Sequence, residues 1–209
     1  MLLPVAVTVA ALAVLLLAEH RDLAALRAFA KLSASAGFLA TAWAAGATET
    51  WFGHVILAAL FACAIGDACL LFAGRPWFLA GLSAFAIGHL GYAFAFGGLG
   101  VAWVHTAAVG AVLTIPAWAV WRWLEPHVPA DMRFPVLVYV AIITGMMALA
   151  WTCDGGAATW AIRSGATAFY LSDLSVARDV FVRRAVVNRL WGLPAYYIGQ
   201  LLLAAAIAA

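Results

Sequence analysis

Residues Phe61–Phe78 read FACAIGDACLLFAGRPWF. The run is apolar enough to cross a membrane, yet Asp67 lies well inside it and Arg75 follows only later, in a turn. The rest of the chain shares this character. Of 209 residues, 67% are hydrophobic and 10% charged, where a soluble domain carries about a quarter charged residues. Mean hydropathy is +1.05. So little charge excludes a soluble enzyme with a large core and describes a polytopic membrane protein whose solvent is mostly lipid. Membrane lipids are its expected neighbours, and no nucleic-acid partner is expected. Cys63, Cys69 and Cys153 show neither CxxC nor Cys/His ligand spacing and read as small packing residues.

About twenty apolar residues span a bilayer as a helix. On that ruler the chain divides into eight segments: Leu2–Ala18, Ala28–Ala45, Trp51–Ala73, Trp77–Phe96, Val101–Leu124, Phe134–Trp151, Ala157–Leu171 and Leu190–Ala208. The expected fold is all-α: one bundle of eight transmembrane helices forming a single integral membrane domain over residues 1–209. The connections AGRP, FGGLG, EPHVPADMR and CDGGA are short and rich in turn residues, and no internal repeat is visible. The first segment has no positive n-region, and no processing-site pattern separates it from EHRD, so it reads as a mature transmembrane helix.

Arginines orient the bundle. Arg21 and Arg27, then Arg75, then Arg122 and Arg133, then Arg178, Arg183, Arg184 and Arg189 fall in the first, third, fifth and seventh connections, and the others hold none. Positive charge stays on the cytoplasmic side, so the odd connections are expected there and both termini outside. Arg163 is the exception, expected near the outer end of the seventh segment with Asp154 or Glu49 as a partner. The alanine-rich composition suits a bacterial cytoplasmic (inner) membrane.

With a rise of 1.5 Å per helical residue, this topology puts Asp67 roughly 9 Å above the cytoplasmic end of its helix. Asp173, in SDLSVARDVF, falls at or just inside the same end. Tyr196 and Tyr197 are lifted by roughly 10 Å, Gln200 by roughly 15 Å, and His89 and Tyr92 by about 18–22 Å. Asp173, Ala177 and Phe181 follow an i, i+4, i+8 stripe, so the seventh helix is expected to run past Leu171. Two carboxylates thus occupy the cytoplasmic half, with an imidazole, phenols and an amide above them.

A carboxylate inside the membrane costs at least about 2.5 kcal/mol and faces a bundle interior, a partner or a water-filled cavity. One of two nearby carboxyls can keep its proton and act as a general acid, leaving the other ionised. The residues alone leave a second reading of Asp67 open, as an acceptor satisfied by neighbouring hydroxyls. His89 also reads as a satisfied bundle histidine, and Gln200 and the tyrosines as hydrogen-bonding glue between helices. The arginines read as topology signals or as contacts to lipid phosphate, and Lys31 can snorkel to the interface.

These residues fall into a known pattern. GDACL, FLAGLSAFAIGHLGYAFAF, SDLSVARDVF and the pair Tyr197 and Gln200 occur in order over nearly the whole chain, which thereby resembles the YhhN/TMEM86 family of multi-pass membrane proteins. The family usually shows a Lys-Pro pair near the second helix, whereas Lys31 is followed by Leu32. The characterised members are lysoplasmalogenases, so the resemblance implies hydrolysis of the vinyl ether bond of a lysoplasmalogen. The products would be a fatty aldehyde and glycerophosphocholine or glycerophosphoethanolamine. It implies Asp67 and Asp173 as catalytic residues, their roles undivided. His89, Tyr92, Tyr197 and Gln200 would line or order the pocket, and Lys31 and Arg75 would meet the phosphate of the lysophospholipid. No metal or other cofactor is required. Hydrolysis of another lysolipid or ether lipid is an alternative, and so is a proton-coupled transporter, although repeated halves and paired broken helices are absent from the sequence. The sequence assigns no oligomeric state.

Overall fold

Each apolar run folds into one helix, and the computed structural model describes residues 1–209. The helices are α1 (Leu2–Arg21), α2 (Ala24–Ala44), α3 (Trp51–Cys69), α4 (Arg75–Gly98), α5 (Trp103–Leu124), α6 (Arg133–Thr152), α7 (Thr159–Ala177) and α8 (Val186–Ala205). Six of them, α1, α3, α4, α5, α6 and α8, are long and apolar enough to cross a membrane. The other two have the length but are more polar. α2 carries Arg27, Lys31, Ser33, Ser35 and Thr41, and α7 carries Arg163, Thr167, Ser172, Asp173 and Ser175.

Helix ends differ from the hydropathic cuts because charged residues are good helix formers. α1 runs on to Arg21, placing His20 and Arg21 in its last turn, where cations suit the helix dipole. α2 and α8 each begin four residues early. α3 stops at Cys69, short of Ala73, where a turn leads to Gly74 and Pro76 at the start of α4. Asp67 therefore sits in the last turn of α3, about 3 Å from its end. α7 runs past Leu171 to Ala177, as the Asp173 stripe implies, and continues into one π-helical turn, Arg178–Val182.

The helices form a closed ring in the order α2, α3, α4, α6, α7, α8, with α1 packed over the α2–α8 seam and α5 packed outside on α6. Only Leu124 of α5 is buried. Small residues let neighbours approach closely, as membrane helices require in the absence of a hydrophobic force between them. A Cβ on Gly192 would collide with Ser175, and one on Gly199 would lie 2.9 Å from the Gly165 carbonyl oxygen, so glycine is what closes the α7–α8 seam. Cys63 lies against Gly88 in the α3–α4 seam. The ten tryptophans divide between the two ends of the ring. Trp43, Trp51, Trp103, Trp151 and Trp160 lie at one end, and Trp77, Trp118, Trp121, Trp123 and Trp191 at the other. Two such girdles are what an aromatic residue's preference for both membrane interfaces produces.

Candidate active site

The two aspartates Asp67 and Asp173 sit on opposite arcs of the ring. Asp67 of α3 is buried between α2 and α8. Its Oδ2 accepts hydrogen bonds from Ser35 Oγ at 2.7 Å and Tyr196 OH at 2.8 Å, and Lys31 Nζ lies 3.0 Å from Oδ1. Both oxygens are engaged, by two neutral donors and one cation.

Asp173 of α7 is more open, with 19% of its side chain exposed against 2% for Asp67. Its Oδ2 accepts from Tyr139 OH of α6 at 2.8 Å, and His89 Nε2 of α4 lies 3.2 Å from the same oxygen. The imidazole and the phenol are themselves 3.0 Å apart. Asp173 Oδ1 has no hydrogen-bond partner within the protein. Between the clusters lies a bridge of rings: Tyr196 meets Phe169 edge-to-face at 5.3 Å, Phe169 meets His89 in a tilted pair at 4.4 Å, and Phe85 meets Tyr196 edge-to-face at 5.9 Å.

No ion pair or hydrogen bond joins Asp67 to Asp173, but both border one cavity of about 670 Å³. It opens at the end of the ring that carries the odd-numbered connections. Phe78, Leu82, Phe85, Val136, Ile143 and Leu193 give it an apolar wall, while Tyr139 and Tyr196 present their phenols beside the carboxylates. A space of this size matches a small-molecule site of apolar lining with a few convergent polar groups. No group of three His, Cys, Asp or Glu side chains is placed to hold a metal ion.

The remaining expected site residues take other places. Lys31 borders the cavity but is ion-paired to Asp67. His89, Tyr92, Tyr197 and Gln200 are wholly buried and lie behind the cavity wall. Tyr92 OH donates to Gln200 Oε1 at 2.7 Å, joining α4 to α8, and Tyr197 OH reaches the Lys31 carbonyl oxygen at 3.3 Å. Arg75 is away from the cavity, in an exposed ion pair with Asp131. Arg163 stacks over the Trp151 ring, 5.8 Å from its centroid, rather than pairing with Asp154 or Glu49.

Tyr139 and Ser35, which complete the two clusters, were not singled out by the sequence. Tyr139 lies in the apolar run PVLVYVAIIT and reads there as an aromatic core residue. The available signal was a phenol, which seeks a partner when buried.

At the cavity mouth, Arg189 bridges Glu19 of α1 and Asp179 of the π-helical turn. Burial works against the Asp179 carboxylate, but the Ala185 amide, the Asn188 side chain and the Arg189 guanidinium outweigh it and hold the carboxyl below its usual range.

Residues 26–207 match the model of the YhhN family. Among curated relatives, lysoplasmalogenase TMEM86B of Mus musculus is 34% identical over 164 residues, covering 77% of this chain and 65% of that protein. Lysoplasmalogenase TMEM86A of Bos taurus is 34% identical over 157 residues, 71% of this chain and 63% of its own. Lysoplasmalogenase TMEM86B of Homo sapiens is 35% identical over 158 residues, 73% of this chain and 62% of its own. The chain thus spans a little under two thirds of the length of these relatives. No solved structure matches it.

Proposed function

This chain belongs to the YhhN family, and on that premise we propose that it is an intramembrane hydrolase that cleaves the vinyl ether bond of lysoplasmalogens. The observation that carries the reading is that two differently bonded aspartates border a single cavity with an apolar wall. The products are a fatty aldehyde and glycerophosphocholine or glycerophosphoethanolamine.

The reaction is acid–base chemistry on a carbon–carbon double bond. Asp173 gives a proton to the β-carbon of the alkenyl group, and the electrons of the ether oxygen form an oxocarbenium ion. Ionised Asp67 steadies that cation, as a carboxylate does beside the oxocarbenium-like state of a glycosidase. Water adds to the cationic carbon and returns its proton to Asp173, which restores the acid. The hemiacetal then collapses: its hydroxyl proton passes to the glycerol oxygen, the carbon–oxygen bond breaks, and the aldehyde carbonyl forms. One water is consumed. The bonding pattern supports this division of roles. The ammonium and two hydroxyls around Asp67 complement a negative charge, whereas both bonds to Asp173 fall on Oδ2, leaving Oδ1 to carry the mobile proton.

The same reading places all eight helices across the bilayer, α2 and α7 included. Both are flanked within the ring, so Lys31, Ser35, Thr41, Ser172, Asp173 and Ser175 face protein or cavity rather than lipid. The odd connections then face the cytoplasm and both termini the outside of a bacterial cytoplasmic membrane, supported by the arginines and the two tryptophan girdles. The deciding experiment is aldehyde release from a 1-alkenyl lysophospholipid by detergent-purified protein, beside a saturated 1-alkyl lysophospholipid. Release from the alkenyl lipid alone supports the reading. No release from well-folded protein overturns it.

A further inference from the structure

We propose that Arg183 and Arg184 form a phosphate-recognition site at the cavity mouth, which takes the phosphodiester of a single-chain phospholipid. The identity of that lipid rests on the reading above, and the inference adds where its headgroup is held.

Five cationic side chains border the cavity: Arg27, Lys31, Arg183, Arg184 and Arg189. Three are committed to carboxylates. Arg27 and Arg189 meet Glu19, Arg189 also meets Asp179, and Lys31 meets Asp67. Arg183 and Arg184 make no ion pair. The carboxylates on the wall are likewise engaged, Asp173 by Tyr139 and His89 and the rest by the cations just named. The two uncommitted guanidinium groups therefore give the mouth an excess of positive charge with nothing in the protein to meet it.

Their backbone is pinned although their side chains reach water. Arg183 N donates to the Arg178 carbonyl oxygen at 2.8 Å, Asn188 Nδ2 donates to the Arg183 carbonyl oxygen at 2.8 Å, and Ala185 N donates to Asp179 Oδ1 at 2.9 Å. The segment between the π-helical turn and α8 thus presents both arginines from a fixed support. A guanidinium is a planar fork that matches two phosphate oxygens at once. The order along the ligand also agrees. In a 1-alkenyl lysophospholipid only the glycerol separates the vinyl ether from the phosphate. A bond held at the aspartates, inside the ring, puts the phosphate a short way towards water, where these arginines stand. The alkenyl chain then lies against the apolar wall. Arg75, paired and off the cavity, has no such position.

The test measures binding, so it does not depend on turnover. The probes are a saturated 1-alkyl lysophosphocholine, which has no vinyl ether to cleave, and the matching 1-alkylglycerol, which has no phosphate. Both are titrated into protein in a phosphate-free non-ionic detergent. We expect the Arg183→Gln/Arg184→Gln double variant to bind the lysophosphocholine about ten- to a hundredfold more weakly, the loss of one or two charge-assisted bonds. Alkylglycerol binding is expected to be unchanged, and Arg183→Lys/Arg184→Lys to recover part of the loss. Inorganic phosphate at millimolar concentration should not compete; if it displaces the lipid fully, the site takes free phosphate and the lipid assignment falls. Equal binding by wild type and double variant overturns the proposal, as does a parallel loss for both probes, which marks a structural role. Tight, arginine-dependent binding without cleavage of the alkenyl lipid leaves this site standing and removes the hydrolase reading instead.

Discussion

The Asp67 and Asp173 clusters are built from the same kinds of group, yet they are wired in opposite ways. Asp67 ties α2, α3 and α8 together, has both oxygens occupied, and faces an ammonium. Asp173 ties α4, α6 and α7, has one oxygen occupied, and faces a phenol and an imidazole. A buried charge needs a partner, and Lys31 gives Asp67 one. Asp173 has no lysine or arginine in contact, and more of its side chain is exposed. The difference teaches that two carboxyls on one cavity need not be equivalent: one has a cation and two hydroxyls on its two oxygens, and the other has one oxygen free of protein partners.

The largest effect tests whether both are needed. Asp67→Asn and Asp173→Asn are each expected to lower aldehyde release by about 10²- to 10⁴-fold, the range that a positioned acid–base group or a fixed charge at the developing cation contributes. Persistent activity in either variant removes that aspartate from the mechanism. The asymmetry predicts more. Asp173→Gly opens onto the cavity, so added formate should restore measurable turnover. Asp67→Gly leaves a narrower opening on the same cavity, beside Lys31 and with less of its side chain exposed, and formate should rescue it less. Equal rescue of both would break the comparison.

Removing the cation tests the same contrast through stability. Lys31→Met leaves Asp67 without its counter-charge, and the loss of one partner from a buried pair costs about 3–5 kcal/mol. Thermal unfolding in detergent should show a clear drop, relieved by adding Asp67→Asn in the same chain. Tyr139→Phe removes one hydrogen bond to a carboxyl, worth about 1.5–3 kcal/mol if that carboxyl is charged and about 1 kcal/mol if it is neutral. With Asp173 as the protonated acid we expect the smaller cost, together with a change in the pH profile of kcat that a packing defect would not give.

Much of this site could be read before the fold was known. Asp67, Asp173 and His89 are polar groups in apolar runs, where the cost of burial itself advertises function. The continuation of α7 past Leu171 was visible in the spacing of Asp173, Ala177 and Phe181. What could not be read was partnership across helices. Ser35, Tyr139 and Tyr196 find their aspartates at sequence separations of 32, 34 and 129 residues, set by a ring order that no local pattern encodes. Arg75 illustrates the same limit. Its charge suggested a lipid phosphate, but the fold brings the α5–α6 connection beneath it, and Asp131 takes it instead. The ring also explains why two helices stand out as polar: α2 and α7 carry Lys31 and Asp173 and turn those residues towards the cavity.

A smaller effect is expected at the mouth, where Asp179 carries a carboxyl beyond the end of α7. Its carboxyl is held below the usual range when folded and returns to about 3.9 on unfolding. The unfolded state therefore takes up protons first as pH falls. The stabilisation is complete well above pH 4 and is lost as pH drops through the folded value. Melting temperatures recorded from pH 7 to pH 3 should fall less steeply for Asp179→Asn than for the wild type. Parallel curves would show that the Arg189 bridge does not depend on this charge.

The smallest effect belongs to the Arg75–Asp131 pair, and it separates charge placed for structure from charge placed at an interface. Both side chains are about half exposed, 50% and 53%, whereas Lys31 and Asp67 are 13% and 2% exposed. Exposed pairs contribute about 0–1 kcal/mol because water screens them and ordering two long side chains offsets the attraction. Arg75→Gln should therefore shift the melting temperature little and leave KM for an alkenyl lysophospholipid unchanged, since the side chain does not border the cavity. A several-fold rise in KM would show instead that Arg75 leaves Asp131 to meet the lipid phosphate, and would move headgroup recognition from the α7–α8 connection to the α3–α4 turn.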